Sequence, residues 1–165
     1  MRGIKLKILC LIVLMSFCFI LNSCKISEDV LQSSAEVDFL TPQNVQISFN
    51  DHIYNCVVNY DGSQLQLNFS DEKDLLDGAY ASITNDAYKI TYKNMVFNGD
   101  FSQLSKSFLP CVLFDFFSSF DKPILLDSYD KQKECYYLKK STNSFFVTLE
   151  CYERDEKSFY SIEIK

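Results

Sequence analysis

The chain has no tryptophan, one histidine, three prolines and four glycines among its 165 residues. Each shortage removes a class of chemistry. With His52 as the sole imidazole, zinc sites built on paired histidines and the H-E-x-x-H helix are excluded. His52 follows Asp51 at an expected turn and reads as a solvated turn residue. Four scattered glycines form no phosphate-cradling loop and no G-x-S-x-G elbow. The runs Asp71-Glu72-Lys73-Asp74 and Glu153-Arg154-Asp155-Glu156 mix charge signs. They lack the alternate ligands and glycine turn of a calcium loop. No motif for a cofactor is present, and nothing in the sequence favours an enzyme. Basic residues are the minority, 16 against 22 acidic. That balance argues against nucleic acid, whose binding depends on neutralising phosphates. With 47% hydrophobic residues, 15 phenylalanines and 10 tyrosines, the chain folds rather than staying disordered.

What is present begins with charge at the N-terminus. Arg2, Lys5 and Lys7 precede an apolar run from Ile8 to Ile20 broken only by Ser16. The run is shorter than the roughly 20 apolar residues that span a bilayer. Small and polar residues then lead to Leu21-Asn22-Ser23-Cys24. A basic start, a short apolar core and a small-residue end describe a secretory signal peptide. The final four residues resemble the bacterial lipobox, matching it at Leu21, Ser23 and Cys24 and departing at Asn22. That resemblance implies a signal peptide over residues 1–23, cleavage before Cys24 and a lipid on its sulfur. Two acyl chains on one cysteine are enough for stable anchoring. The expected location is the cell membrane, lipid-anchored and outside the cytoplasm. Loss of Arg2, Lys5 and Lys7 leaves 13 of the 16 basic residues against 22 acidic, a net charge of −9.

Residues 24–36 are polar and read as a lipidated tether, with the folded domain over 37–165. Val45, Ile47 and Phe49 alternate in a first strand, and Ile53 to Tyr60 follow Asn50-Asp51 as a second. Asp61-Gly62 is a hairpin turn. Leu65, Leu67 and Phe69 alternate with Gln66, Asn68 and Ser70, the period of a sheet with one dry face. Further strands are expected at Tyr80 to Thr84, Tyr88 to Tyr92 and the short run Met95 to Phe97. Ser105 to Phe120 changes period: Leu109, Leu113, Phe116, Phe117 and Phe120 fit a helix with Pro110 in its first turn. Its apolar residues cover most of the circumference. It is therefore buried nearly all round, or it lines an apolar cavity. Strands return at Ile124 to Tyr129, Glu134 to Lys139, Phe145 to Cys151 and Phe159 to Ile164, divided by polar turns such as Asp155-Glu156. Cys56, Cys111, Cys135 and Cys151 are either disulfide partners or buried thiols. Of the pairings, Cys135 with Cys151 is geometrically the least demanding. The class is α+β: a curved antiparallel sheet, an unclosed half-barrel, wrapped around one very apolar helix.

In order and texture, residues 37–165 resemble the lipoprotein-carrier superfamily with the LolA/LolB-like fold, including small Firmicutes-type lipoproteins. The resemblance rests on Val45 to Phe49, Tyr54-Asn55-Cys56-Val57-Val58, Asn59-Tyr60-Asp61-Gly62, Leu75-Leu76-Asp77-Gly78 and Tyr92-Lys93-Asn94-Met95-Val96-Phe97 before the Leu/Phe-rich helix. It implies an apolar hollow for acyl chains, bordered by Phe108, Leu109, Val112, Phe116 and Phe117. The arginine that gates the periplasmic carrier has no counterpart, so its transport role does not follow. Two readings stand. One is a membrane-anchored binding module for a lipid, an acyl chain or another lipoprotein. The other is an interaction lipoprotein of the cell envelope, with a filled core and a protein or cell-wall partner.

Overall fold

A computed structural model describes residues 34–70, 76–120, 123–142, 144–154 and 157–165. The expected signal peptide, Cys24 and most of the expected tether lie outside these residues, as do Leu75 and the turn expected at Asp155-Glu156. The chain begins with a short strand, β1 (Ala35–Val37), which takes in two residues that the sequence reading places in the tether. Then come β2 (Gln43–Phe49), β3 (His52–Tyr60), β4 (Gln64–Phe69), β5 (Tyr80–Thr84), β6 (Ala87–Tyr92) and β7 (Met95–Asp100). A 3₁₀ turn at Phe101–Gln103 leads to the helix α1 (Leu109–Phe117). The last strands are β8 (Ile124–Leu126), β9 (Ser128–Asp130), β10 (Cys135–Ser141), β11 (Phe146–Arg154) and β12 (Lys157–Ile164).

Ten of these strands form one curved, unclosed sheet in the order β7-β6-β5-β4-β3-β2-β12-β11-β10-β9. It consists of two antiparallel meanders. Strands β2 and β12, the first of one meander and the last of the other, meet at the centre. That central pair is parallel, with Ile162 beside Ile47. The sheet expected to be antiparallel is so at every other pairing; at this one the ends of two meanders meet side by side, and no hairpin joins them. The expected strand from Ile124 to Tyr129 is also two elements. Strand β8 pairs with β1 in a separate two-stranded ribbon, while β9 joins the large sheet at its edge.

The turns follow local chemistry. Asn50 and Asp51 both adopt positive φ, 50° and 62°, which is the backbone of a tight two-residue hairpin. Asp61 organises the next turn: its Oδ1 accepts hydrogen bonds from the Ser63 and Gln64 amides at 2.8 Å. Gly62 there takes φ 97°, which a side chain would resist. At the end of β4 the Gly78 amide donates to the Phe69 carbonyl at 3.0 Å, leading the chain into β5.

Alternation places Ile47, Val58, Leu65, Leu67, Ile83, Leu149 and Ile162 on one face, each fully buried. Helix α1 packs against β4 and β5 on that face. It starts where the spacing from Leu109 places it and stops at Phe117, short of Phe120. Phe108 holds an extended backbone as N-cap, and Pro110 occupies the first turn, where its missing N–H costs little. Eight of the nine helical residues are buried. Phe117 meets Phe39 edge-on at 4.8 Å and lies 5.7 Å from Tyr60. Beyond the helix, Lys140 of β10 donates to the Ser119 carbonyl at 2.8 Å and sits over the Phe120 ring at 4.1 Å. It caps the helix end with a cation where the dipole favours one.

Candidate functional site

The five residues expected to border a hollow separate into two groups. Val112, Phe116 and Phe117 are at most 1% exposed and Leu109 is 6% exposed. Ring contacts fix two of them: Phe116 lies 5.4 Å from Phe117 and 5.0 Å from Phe120, both edge-on. Phe108 differs, since it is 38% exposed at the start of the helix.

The main contacts of helix α1 are with β4 and β5, while β6 and β7 lie further toward the sheet edge. Register puts Met95 opposite Tyr92 and Phe97 opposite Ile90. These four side chains therefore share the face that carries the helix. Tyr92 and Ile90 pack partly on the core. Met95 and Phe97 stand 50% and 51% exposed, and Val96 on the other face is similarly open. Among the described residues β7 is an edge of the large sheet. It carries no lysine, arginine or proline, the residues that usually blunt such edges. Met95 and Phe97 form an apolar margin at this edge, and Phe108 is a further exposed apolar side chain at the start of the helix. Met95 to Phe97 reads in the sequence as a short strand only. Its exposure depends on where the helix stops, which periodicity does not reveal.

On the opposite face, β11 and the turn between β9 and β10 carry a small polar network. Lys133 Nζ is 2.6 Å from Glu150 Oε1, and the Tyr152 hydroxyl donates to Glu150 Oε2 at 2.5 Å. Burial alone would raise the Glu150 pKa, but the hydrogen bonds from Lys133 and Tyr152 outweigh it and hold the carboxyl below its ordinary value. Burial, and then the bond to Glu150, push the Tyr152 phenol upward. The arrangement fixes these groups and offers no base poised near neutrality.

All four described cysteines are free and buried. Cys135 faces Tyr152 in register while Cys151 faces Tyr136, so the two thiols point to opposite faces of the sheet. The easiest expected disulfide is therefore not formed. Burial pushes Cys56 up to about 12; burial, then the Asp115 carboxylate, pushes Cys111 up to about 11. Thiols held this high carry little thiolate and are poor nucleophiles. His52 lies at the start of β3 with its ring 6.2 Å from Tyr54. No group of three or more His, Cys, Asp or Glu residues among those described could hold a metal.

Comparison with protein-family models, with curated proteins and with solved structures finds no match for this chain.

Proposed function

We propose that this chain is a membrane-anchored lipoprotein whose β domain binds an apolar ligand, of the class of a lipid, an acyl chain or another lipoprotein. The anchor is the lipid on Cys24, exported behind the signal peptide of residues 1–23. The resemblance to the lipoprotein-carrier superfamily belongs to this reading, and so does a sheet that curves about an apolar helix. The observation that carries it is the apolar margin, where Met95 and Phe97 stand half-exposed at the edge of the sheet. An apolar patch kept open at a sheet edge carries an aggregation risk and is characteristic of an interaction site. The ligand would meet this margin first, with the residues behind it, Leu109, Val112, Phe116 and Phe117, forming its floor. The role is binding rather than catalysis. High thiol pKa values and a charge-satisfied Glu150 support that assignment.

One observation favours a second reading. Val112, Phe116 and Phe117 are almost wholly excluded from solvent and locked by ring contacts. That supports an interaction lipoprotein of the envelope, with a filled core and a protein or cell-wall partner.

The test uses the full chain in a bacterial host fed a clickable palmitate and, separately, a photoreactive fatty acid. The expected outcome is palmitate label on the wild type and none on C24A. Photocrosslinks should map to the peptide containing Met95 and Phe97 or to that containing Phe108. Label retained on C24A would remove the anchor. Absence of crosslinks at those peptides would transfer support to the filled-core reading.

A further inference from the structure

The face of the sheet turned away from the helix contains a depression of about 410 Å³. It crosses β2, β3, β11 and β12, the central strands. Among the residues lining it are Asn44, Gln46, Asn55, Ser161, Tyr152 and Phe159. Register explains the assembly. Gln46 pairs with Asn55 on one side and Ser161 on the other, and Tyr152 pairs with Phe159. The side chains of each pair therefore share a face. Three amides and a serine hydroxyl stand beside two neighbouring aromatic rings.

Three properties restrict the occupant. Among the described residues, none that lines it is Asp, Glu, Lys or Arg, in a chain with 38 such residues (16 basic, 22 acidic). The carboxylate that borders it, Glu150 opposite Ser161, is engaged by Lys133 and Tyr152. Among these residues a charged ligand finds no unengaged counter-charge, and nucleic acid no lining cation. The strands beneath are internal to the sheet, each hydrogen-bonded on both sides. A peptide adding itself as a strand needs a free edge, and this face has none. Among the described residues the lining offers side-chain amides, hydroxyls and ring faces. Finally, Phe159 is 52% exposed on the wet face of its strand, while its neighbour Tyr152 is held by the bond to Glu150. A ligand for this surface has many neutral hydroxyls and one apolar flank. From these properties we infer that the outer face of the sheet binds a neutral pyranose, as part of a glycan chain. The volume lies within the range of small-ligand pockets. The inference is independent of the apolar margin, which lies on the other face.

The test is frontal affinity chromatography over the immobilised full chain in mild detergent. The probes are labelled trisaccharides of glucose, of mannose and of N-acetylglucosamine, with a neutral Asn/Gln-rich peptide as control. At least one trisaccharide should be retarded in a saturable way. F159A and Q46A should each weaken that binding at least tenfold, F159Y should keep most of it, and M95Q on the other face should leave it unchanged. Circular dichroism of each variant separates loss of binding from loss of fold. The inference is overturned if no trisaccharide is retarded, if only the peptide is, or if folded F159A and Q46A bind sugar as the wild type does.

Discussion

Replacing Phe117 by alanine distinguishes a filled core from a ligand hollow. Phe117 is fully buried, 4.8 Å from Phe39, 5.4 Å from Phe116 and 5.7 Å from Tyr60. If those neighbours close around it, the substitution forfeits the transfer energy of a buried aromatic, about 1.5–3 kcal/mol. A cavity term is added, because the helix cannot collapse onto a rigid sheet. Phe→Ala substitutions in packed cores cost about 3–5 kcal/mol in total. Three ring neighbours place F117A near the upper end. A domain of this size has roughly 5–15 kcal/mol in hand, so the variant folds but only marginally. F108A should cost well under 1 kcal/mol, as expected of a surface site. Urea unfolding of the full chain, followed by tyrosine fluorescence and far-UV dichroism, reads both. If F117A lies within about 1 kcal/mol of wild type, the ring faces empty space and the packing argument fails. A parallel gain in fatty-acid uptake by F117A would then identify the space as a hollow.

Two other perturbations follow from the same geometry. E150Q removes the acceptor of the Lys133 and Tyr152 bonds. Lys133 is half exposed, so the expected loss is roughly 1 kcal/mol rather than the larger value of a buried charged pair. Because the folded carboxyl sits below its ordinary 4.5, this stabilisation is present above that pH and disappears as pH falls through the lower folded value. Stability curves at several pH values should therefore converge for E150Q and wild type in acid; a gap that persists unchanged would contradict the assignment. D61A removes an acceptor that holds the Ser63 and Gln64 amides and the Ser63 hydroxyl at 2.8 Å each. It should cost about 1–2 kcal/mol in chemical denaturation, and an unchanged midpoint would mean the turn holds without it.

The hairpins were legible in the sequence because their signals are local. Asn50-Asp51 and Asp61-Gly62 dictate turns through their own backbones, and alternation at Val45, Ile47 and Phe49 orients the strand before them. The parallel join of β2 and β12 was not legible, since it pairs residues more than a hundred positions apart and leaves no mark on either strand. The break between β8 and β9 was hidden for a related reason: Ile124 to Leu126 is apolar enough to read as one strand with Tyr129, and only its partner β1 draws it away. The end of the helix was placed too late because Phe120 continues the apolar spacing beyond the last helical residue, Phe117. The same continuity joined Phe108 to Leu109, Val112, Phe116 and Phe117 as one lining, although exposure separates it from the other four. The apolar margin is visible only once the footprint of the helix on β4 and β5 is known.

That footprint makes the role of β7 testable at a single residue. Phe97 is half exposed at a sheet edge, so its ring contributes little to the core. Replacing it by lysine should change stability by no more than about 0.5 kcal/mol, the range of ordinary surface substitutions. Lysine is also the residue that blunts edge strands against self-pairing. F97K should therefore fold as well as wild type and associate less at high concentration, measured by light scattering. If the margin receives an acyl chain, the same charge must be desolvated on binding, and photocrosslinking to a fatty acid should fall at least tenfold. Stability and ligand capture are thereby separated in one variant. Should F97K capture fatty acid as the wild type does, the margin is not the entry, and its open apolar surface would need a protein partner to account for it. Should F97K unfold, Phe97 belongs to the core, and the boundary drawn between core and margin is wrong.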